Sequence, residues 1–230
     1  MKLIIQIPCF NEEETLPITL ADLPRDIPGV DTIEYLIIDD GSHDQTRKVA
    51  KECGVHHVIG FPGNRGLARA FQFGIDTCIQ LGADLIVNTD ADNQYCGADI
   101  PKLLGPLLEG KADIVVGDRE TGTISHFSLL KKFLQKQGSR VVGQLAGASV
   151  PDATSGFRAF TREAALDLNI TSDFSYTLET LIQAGRKQLT VAHVPIRTNG
   201  VLRPSRLFRS MPQFMKRSGG TMVRVYTTYQ

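Results

Sequence analysis

Asp90 and Asp92 stand two positions apart in "NTDADNQY" (residues 88–95), directly after the apolar run Leu85-Ile86-Val87. In an extended chain, side chains two apart project the same way and lie about 6 to 7 Å from each other. At an effective dielectric of about 20, two carboxylates so placed repel by about 2.5 kcal/mol. Such a pair implies a cation held between the charges, or one carboxylate kept protonated. A hard ion, Mg2+ or Mn2+, suits the first reading: one or two carboxylates hold it, and water and diphosphate oxygens complete its shell. Asp92 and the amide oxygen of Gln94, again two apart, can both reach it. The plainer alternative is a turn whose aspartates cap the next helix.

Other polar clusters share that position relative to the apolar runs. Asp39 and Asp40 begin "DDGSHDQT"; "PCFNEEE" carries Pro8, Phe10 and Glu12; "GNRGLARA" carries Arg65 and Arg69; "GDR" ends in Arg119. Carboxylates facing a ligand suit sugar hydroxyls, base N–H donors or a metal, and they repel bare phosphate. Arg65 and Arg69 lie one helical turn apart, beside a helix start whose free N–H groups attract anions. A solvated helix face explains Arg69 equally well, whereas the strand-end position of Arg119 favours a ligand.

What must position these groups is legible in the hydrophobic pattern. Strand-length runs Leu3–Ile7, Tyr35–Ile38, His57–Phe61, Leu85–Val87 and Ile114–Val116 alternate with helical segments Thr15–Leu23, Thr46–Cys53, Leu67–Leu81 and Ile100–Leu108. The alternation predicts an α/β fold, a mostly parallel sheet with helices on both faces, whose ligands sit at the carboxyl ends of the strands. Each of the five runs is followed by one of the polar clusters. Farther on, Phe127–Val150 predicts a helix, "DATSGFRAF" a glycine-bearing loop entering a short strand, Tyr176–Ala184 a helix and Leu189–Ile196 a strand. Apolar residues recur at helical spacing over Arg206–Tyr226 among basic ones, the pattern of an amphipathic surface helix. Without a repeat or linker, 1–230 reads as one domain, 1–120 forming one half and 121–230 the other.

Composition narrows the class. The formal net charge of zero conceals 25 acidic and 16 basic groups before residue 180, against nine basic and no acidic groups after it. A cationic tail suggests an anionic partner: nucleic acid, phosphate groups or a membrane surface. The four cysteines have neither metal-site spacing nor a secreted framework, which favours reduced thiols in the cytosol. The five histidines show no metal spacing and no nucleophile partner. A nucleophile elbow, a Walker lysine loop and a dinucleotide glycine fingerprint are all missing.

The ordered set "IPCFNEEETL", "LIIDDGSHDQT", "GNRGLARAFQFGI", "NTDADNQY", "DIVVGDR" and "DATSGFRAF" resembles the family 2 glycosyltransferases of the GT-A fold. Within that family it is most similar to the dolichyl-phosphate mannose synthase-like and polyprenyl-phosphate hexosyltransferase group. The resemblance implies inverting, metal-dependent transfer of a hexose from a GDP-mannose- or UDP-glucose-type donor to a polyprenyl or dolichyl phosphate. It places Pro8, Phe10 and Glu12 beside the base and ribose, Asp40 on the base, and Asp90 on the ribose or a metal-bound water. Arg65 joins the nucleotide-sugar site. Asp92 and Gln94 would bind Mg2+ or Mn2+ on the diphosphate. Asp152, at the head of "DATSGFR", would present its carboxylate to the acceptor side. Arg119, Arg203, Ser205 and Arg206 would hold the acceptor phosphate.

A phosphate monoester is largely dianionic above its second ionisation near pH 6 and needs no strong base, so Asp152 positions it; a hydroxyl acceptor would require Asp152 as general base. The expected partners are the donor, the lipid phosphate and an anionic membrane surface, not nucleic acid. Similar enzymes often continue into transmembrane helices, whereas this sequence ends at "VYTTYQ". It is expected to be the soluble part of a longer membrane protein, or else peripheral, on the cytoplasmic side. The competing functions are transfer to a polysaccharide or protein hydroxyl, and a non-catalytic nucleotide-sugar binding module.

Overall fold

A computed structural model of the chain describes residues 1–121, 129–172, 175–200 and 211–228. Strands β1 (Lys2–Cys9), β2 (Thr32–Asp39), β3 (His57–Gly60), β4 (Leu85–Asn88) and β5 (Ile114–Asp118) alternate with helices α1 (Leu16–Asp22), α2 (Thr46–Glu52), α3 (Leu67–Gln80) and α4 (Ile100–Leu108). Then follow α5 (Leu129–Ala146), β6 (Arg158–Thr161), α6 (Arg162–Asp167), α7 (Tyr176–Arg186), β7 (Val191–Pro195) and α8 (Met211–Thr228).

The seven strands form one sheet in the order β3-β2-β1-β4-β6-β5-β7. β1 lies inside it, paired in parallel with β2 and β4, and its Leu3–Cys9 stretch is buried on both faces. That double burial explains why the run is continuously apolar instead of alternating. Leu3, Ile5 and Ile7 join the core under α1 and α4, while Ile4 joins the core under α3 and α7. In α4 the buried residues Ile100, Leu103, Leu104 and Leu107 recur at the spacing of one helical face.

Sequence reasoning anticipated these elements to within a few residues and missed two features. α6 is short, and Thr161 caps it by accepting the Ala164 N–H on Oγ1 at 3.1 Å. β6 runs antiparallel to both β4 and β5, with Asn88 opposite Arg158 and Val116 opposite Arg158. Direction is invisible in hydrophobic periodicity; here the chain returns from α5 to the carboxyl ends of β4 and β5 and must enter β6 from that side. The loop it makes there, residues 147–157, contains "DATSGF". The helix expected from Arg206 is described from Met211 onward. Arg203, Ser205 and Arg206 lie outside the described residues.

Candidate active site

The loops leaving β1, β2, β4 and β5 meet along one edge of the sheet. Asn11, Asn93 and Glu120, one in each of the loops after β1, β4 and β5, are left-handed at φ 56°, 55° and 47°. Asparagine tolerates this region because its short polar side chain bonds locally, and left-handed Glu120 is rarer. Backbone strain of that kind gathers where loops are shaped for a ligand.

The β1 and β2 loops brace each other. The Asn11 N–H donates to Ser42 Oγ at 2.9 Å, the His43 N–H donates to Asn11 Oδ1 at 2.8 Å, and the Glu12 N–H donates to Thr46 Oγ1 at 2.8 Å. Glu12 is buried and accepts the Thr15 hydroxyl at 2.6 Å. Pro8 is buried within β1, and the half-buried ring of Phe10 meets His43 edge-on at 6.4 Å.

The adjacent aspartates do different work. Asp39 takes the Arg47 guanidinium and the Ser42 N–H, which fixes the turn after β2. Asp40 takes the backbone N–H groups of Arg65 and Gly66 at 2.6 and 2.9 Å, and so holds the start of α3. Burial raises the Asp40 carboxyl above its ordinary range despite those two donors. Gly41, at φ 73°, brings this turn so close to the next loop that a Cβ there would lie 2.5 Å from Gly63 Cα. Arg65 and Arg69 are both exposed.

Asp92 is buried, with its oxygens turned to Gln94: Oδ1 accepts the backbone N–H at 3.2 Å and Oδ2 the side-chain Nε2 at 2.9 Å. The amide of Gln94 presents its NH2 end to Asp92 and so orients the carboxylate. Between them, Asn93 holds a buried Oδ1 without a hydrogen-bond partner. Among the described residues no group of three His, Cys, Asp or Glu side chains could hold a metal. The loop thus brings together the Asp90 and Asp92 carboxylates and the unpartnered Asn93 oxygen. That set fits Mg2+ or Mn2+ sharing its shell with a diphosphate, and does not fit an all-protein cage.

Asp90 faces the loop before β6: a Cβ on Gly156 would lie 3.1 and 3.2 Å from the two Asp90 oxygens and 2.7 Å from Tyr176 Oη. Only glycine lets this loop come so near the carboxylate. In the same loop Asp152 receives the Arg119 guanidinium, Nε to Oδ2 at 2.6 Å and a terminal nitrogen to Oδ1 at 2.9 Å, and Arg119 also donates to Thr154 Oγ1 at 2.6 Å. Burial opposes ionisation of Asp152, but the Arg119 charge and the Thr154 bonds outweigh it and hold the carboxyl below its ordinary range. Asp152 is an anion, and Arg119 remains a cation. Beside this pair a cleft of about 1000 Å3 is lined by Asp118, Glu120, Lys136, Arg140 and Val150.

Beneath the site lie residues that sequence reasoning did not single out. Arg158 is fully buried, donates to the Ala153 and Ser155 carbonyls at 3.1 and 2.8 Å and to Thr180 Oγ1, and lies over the Tyr176 ring. No carboxylate pairs directly with it among the described residues, and burial pulls it down to about 10. Asn88 donates to the Gly156 carbonyl at 2.9 Å and to Tyr176 Oη at 2.8 Å, and accepts Gln6 Nε2 at 3.0 Å. Tyr95 accepts the Gly156 N–H at 2.9 Å. The one available signal was Asn88 and Gln6 themselves, polar residues inside runs that otherwise read as buried strands.

The family model described as Glycosyl transferase family 2 matches residues 4–168. The UDP-N-acetylglucosamine–dolichyl-phosphate N-acetylglucosaminyltransferase of Methanococcus voltae is 30% identical over 216 residues, covering 84% of this chain and 83% of its own. The polyprenol monophosphomannose synthase of Mycolicibacterium smegmatis is 27% identical over 204 residues, covering 84% of this chain and 76% of its own. Among solved structures, glucosyl-3-phosphoglycerate synthase from Mycobacterium tuberculosis, in complex with Mn2+, UDP and glucosyl-3-phosphoglycerate, aligns at a TM-score of 0.72 and 19% identity. It covers 99% of this chain and 79% of its own. That likeness establishes the GT-A-like α/β fold. With a matched segment running from β1 past α6 and taking in the Asp40, Asp90–Gln94, Arg119 and Asp152 loops, the chain belongs to glycosyl transferase family 2.

Proposed function

We propose that this chain transfers a hexose from a nucleoside diphosphate sugar to a polyprenyl or dolichyl phosphate, with inversion at the anomeric carbon and with Mg2+ or Mn2+ on the donor diphosphate. The observation that carries the reading is the contact of the Asp90 loop with Gly156. It sets the carboxylates suited to a donor diphosphate directly against the loop that holds Asp152 and Arg119. Relatives named for transfer to dolichyl phosphate and for synthesis of polyprenol monophosphomannose support the acceptor class.

In this scheme Pro8, Phe10, Glu12 and Asp40 line the nucleoside side, and Arg65 approaches the donor phosphates. Asp92, oriented by Gln94, and Asp90 would hold the divalent ion. When bound, that ion neutralises the leaving diphosphate. An oxygen of the acceptor phosphate attacks the anomeric carbon, the bond from that carbon to the diphosphate oxygen breaks, and its electron pair leaves with the nucleoside diphosphate. No proton need be taken from a dianionic phosphate, so an ionised, Arg-paired Asp152 suits the role of positioning. Arg119, with Arg203, Ser205 and Arg206, would hold the acceptor phosphate, and Lys136 and Arg140 in the adjoining cleft extend the cationic surface.

The described residues contain no helix long and apolar enough to cross a membrane. The nine basic and zero acidic groups after residue 179 support attachment to an anionic, cytoplasm-facing membrane surface, whether the chain is peripheral or part of a longer membrane protein. The test is transfer of radiolabelled sugar from GDP-mannose, UDP-glucose and UDP-N-acetylglucosamine into butanol-extractable lipid, with polyprenyl phosphate and Mn2+ or EDTA. Label in lipid from one donor, abolished by EDTA, is the expected result. Label entering only soluble hydroxyl acceptors would overturn the acceptor assignment.

A further inference from the structure

Tyr95 follows directly on the Asp92–Gln94 loop, yet its side chain belongs to the other half of the site. The ring is buried, stacks on Phe157 at 5.1 Å with planes 11° apart, and places its hydroxyl oxygen 2.9 Å from the Gly156 N–H. Gly156 is the residue whose Cα lies against the Asp90 carboxylate, and its carbonyl is held by Asn88 and Tyr176. From the far side of the same loop, Ser139 Oγ accepts the Ala153 N–H at 3.0 Å, and Arg158 holds the Ala153 and Ser155 carbonyls. The Ala153, Ser155 and Gly156 peptides are thus gripped from the protein body, and the Tyr95 hydroxyl is the grip that comes from the residue adjoining Gln94. Asp90, Asp152 and Arg119 all lie near enough to act electrostatically on that hydroxyl. The tyrosine backbone is fixed as well: Tyr95 pairs with Thr198 in an isolated bridge, and the Gln94 and Tyr95 carbonyls accept the backbone and side-chain N–H groups of Asn199 at 2.9 and 3.3 Å.

We infer that Tyr95 is a positioning residue whose hydroxyl couples the Asp90–Gln94 loop to the Asp152–Gly156 loop, so that ordering of the first on metal and nucleotide is transmitted to the Arg119–Asp152 pair. The inference rests on the donor-site reading above. A rigid ring seated on Phe157 leaves the hydroxyl few positions, and a shift of Gln94 moves the Gly156 N–H with it. Phenylalanine at position 95 keeps the stack and removes the link, leaving the Gly156 N–H without its acceptor.

The experiment is hydrogen–deuterium exchange on the full chain, wild type and Tyr95→Phe, with Mn2+ alone, Mn2+ with UDP and Mn2+ with GDP, alongside calorimetric titration of the same nucleotides. Circular dichroism and melting curves establish that the variant is folded. In the wild type, the nucleotide that binds is expected to slow exchange at residues 153–157 by fivefold or more, a factor within the usual range of coupling between sites. In Tyr95→Phe its Kd should stay within about threefold while that slowing disappears. Slowing at 153–157 that persists in the variant, or a nucleotide affinity that falls in parallel with it, would overturn the coupling. Failure of both nucleotides to bind the wild type in the presence of Mn2+ would instead sink the donor-site reading, and the coupling with it.

Discussion

The Arg119 guanidinium lies fork-on against both oxygens of Asp152, at 2.6 and 2.9 Å, with the carboxylate almost wholly buried and the guanidinium nearly so. Removing one member leaves the other as an uncompensated buried charge, a loss of about 3 to 5 kcal/mol. Asp152→Asn retains the volume and one acceptor while deleting the charge. Its urea unfolding midpoint should fall by an amount corresponding to at least ~2 kcal/mol, and a stability within ~0.5 kcal/mol of wild type would show that the pair contributes little.

Asp152 also sets an acid dependence. Its carboxyl is held below the ordinary value of 3.8, so the folded state binds this proton less readily than the unfolded chain. The stabilisation is present above the unfolded pKa and is lost as pH falls through the lower, folded value. Asp99 acts in the same sense: fully buried and bonded to Arg197 and Lys102, its carboxyl is pulled down to about 2. Between pH 4 and pH 2, wild type should lose stability more steeply than Asp99→Asn, as read from chemical denaturation at each pH. Parallel curves would remove Asp99 from the account.

Asp92→Ala should abolish the Mn2+-dependent part of the thermal shift produced by the nucleotide that binds, and reduce transfer by at least about a hundredfold if the carboxylate neutralises the leaving diphosphate. Gln94→Ala should be milder. It removes only the amide donor that turns Asp92, and so raises the Mn2+ concentration needed for half-maximal activity without abolishing turnover. Equal losses in the two variants would mean that Gln94 itself ligates the ion.

Hydrophobic periodicity revealed the strands and their order along the chain because β1, β2, β4 and β5 are doubly buried, and their apolar runs have no other use. It also placed Asp40, Asp90, Asp92 and Arg119 at one edge, since the carboxyl ends of parallel strands all face the same way. Two things it could not carry. The reversal of β6 depends on where the chain returns after α5, not on any local pattern. The pairing of Arg119 with Asp152, 33 residues apart, and of Tyr95 with Gly156, 61 apart, depends on that reversal, because the loop entering β6 delivers both partners. Arg158 was hidden for a related reason: beside a glycine-bearing loop an arginine reads as solvent-facing, and only the register opposite Asn88 and Val116 puts it in the interior.

Arg158 supplies the last prediction. Its three donor nitrogens satisfy two loop carbonyls and the Thr180 hydroxyl, so its bonds reach the Asp152 loop through the backbone that follows that residue, beside a through-space attraction to the carboxylate. Lysine keeps the charge but cannot reach three acceptors in a fixed fork, and methionine removes charge and donors together. Leaving buried carbonyls unsatisfied costs about 1 to 3 kcal/mol each, whereas burying an unpaired charge is itself unfavourable. Arg158→Met should therefore be destabilised by about 2 to 4 kcal/mol, and Arg158→Lys no less, because it loses the bonds and keeps the desolvation penalty. In both, exchange at residues 153–156 should quicken while nucleotide affinity stays close to wild type. If lysine restored wild-type stability and loop protection, the charge of Arg158, not its grip on the two carbonyls, would be what the fold requires.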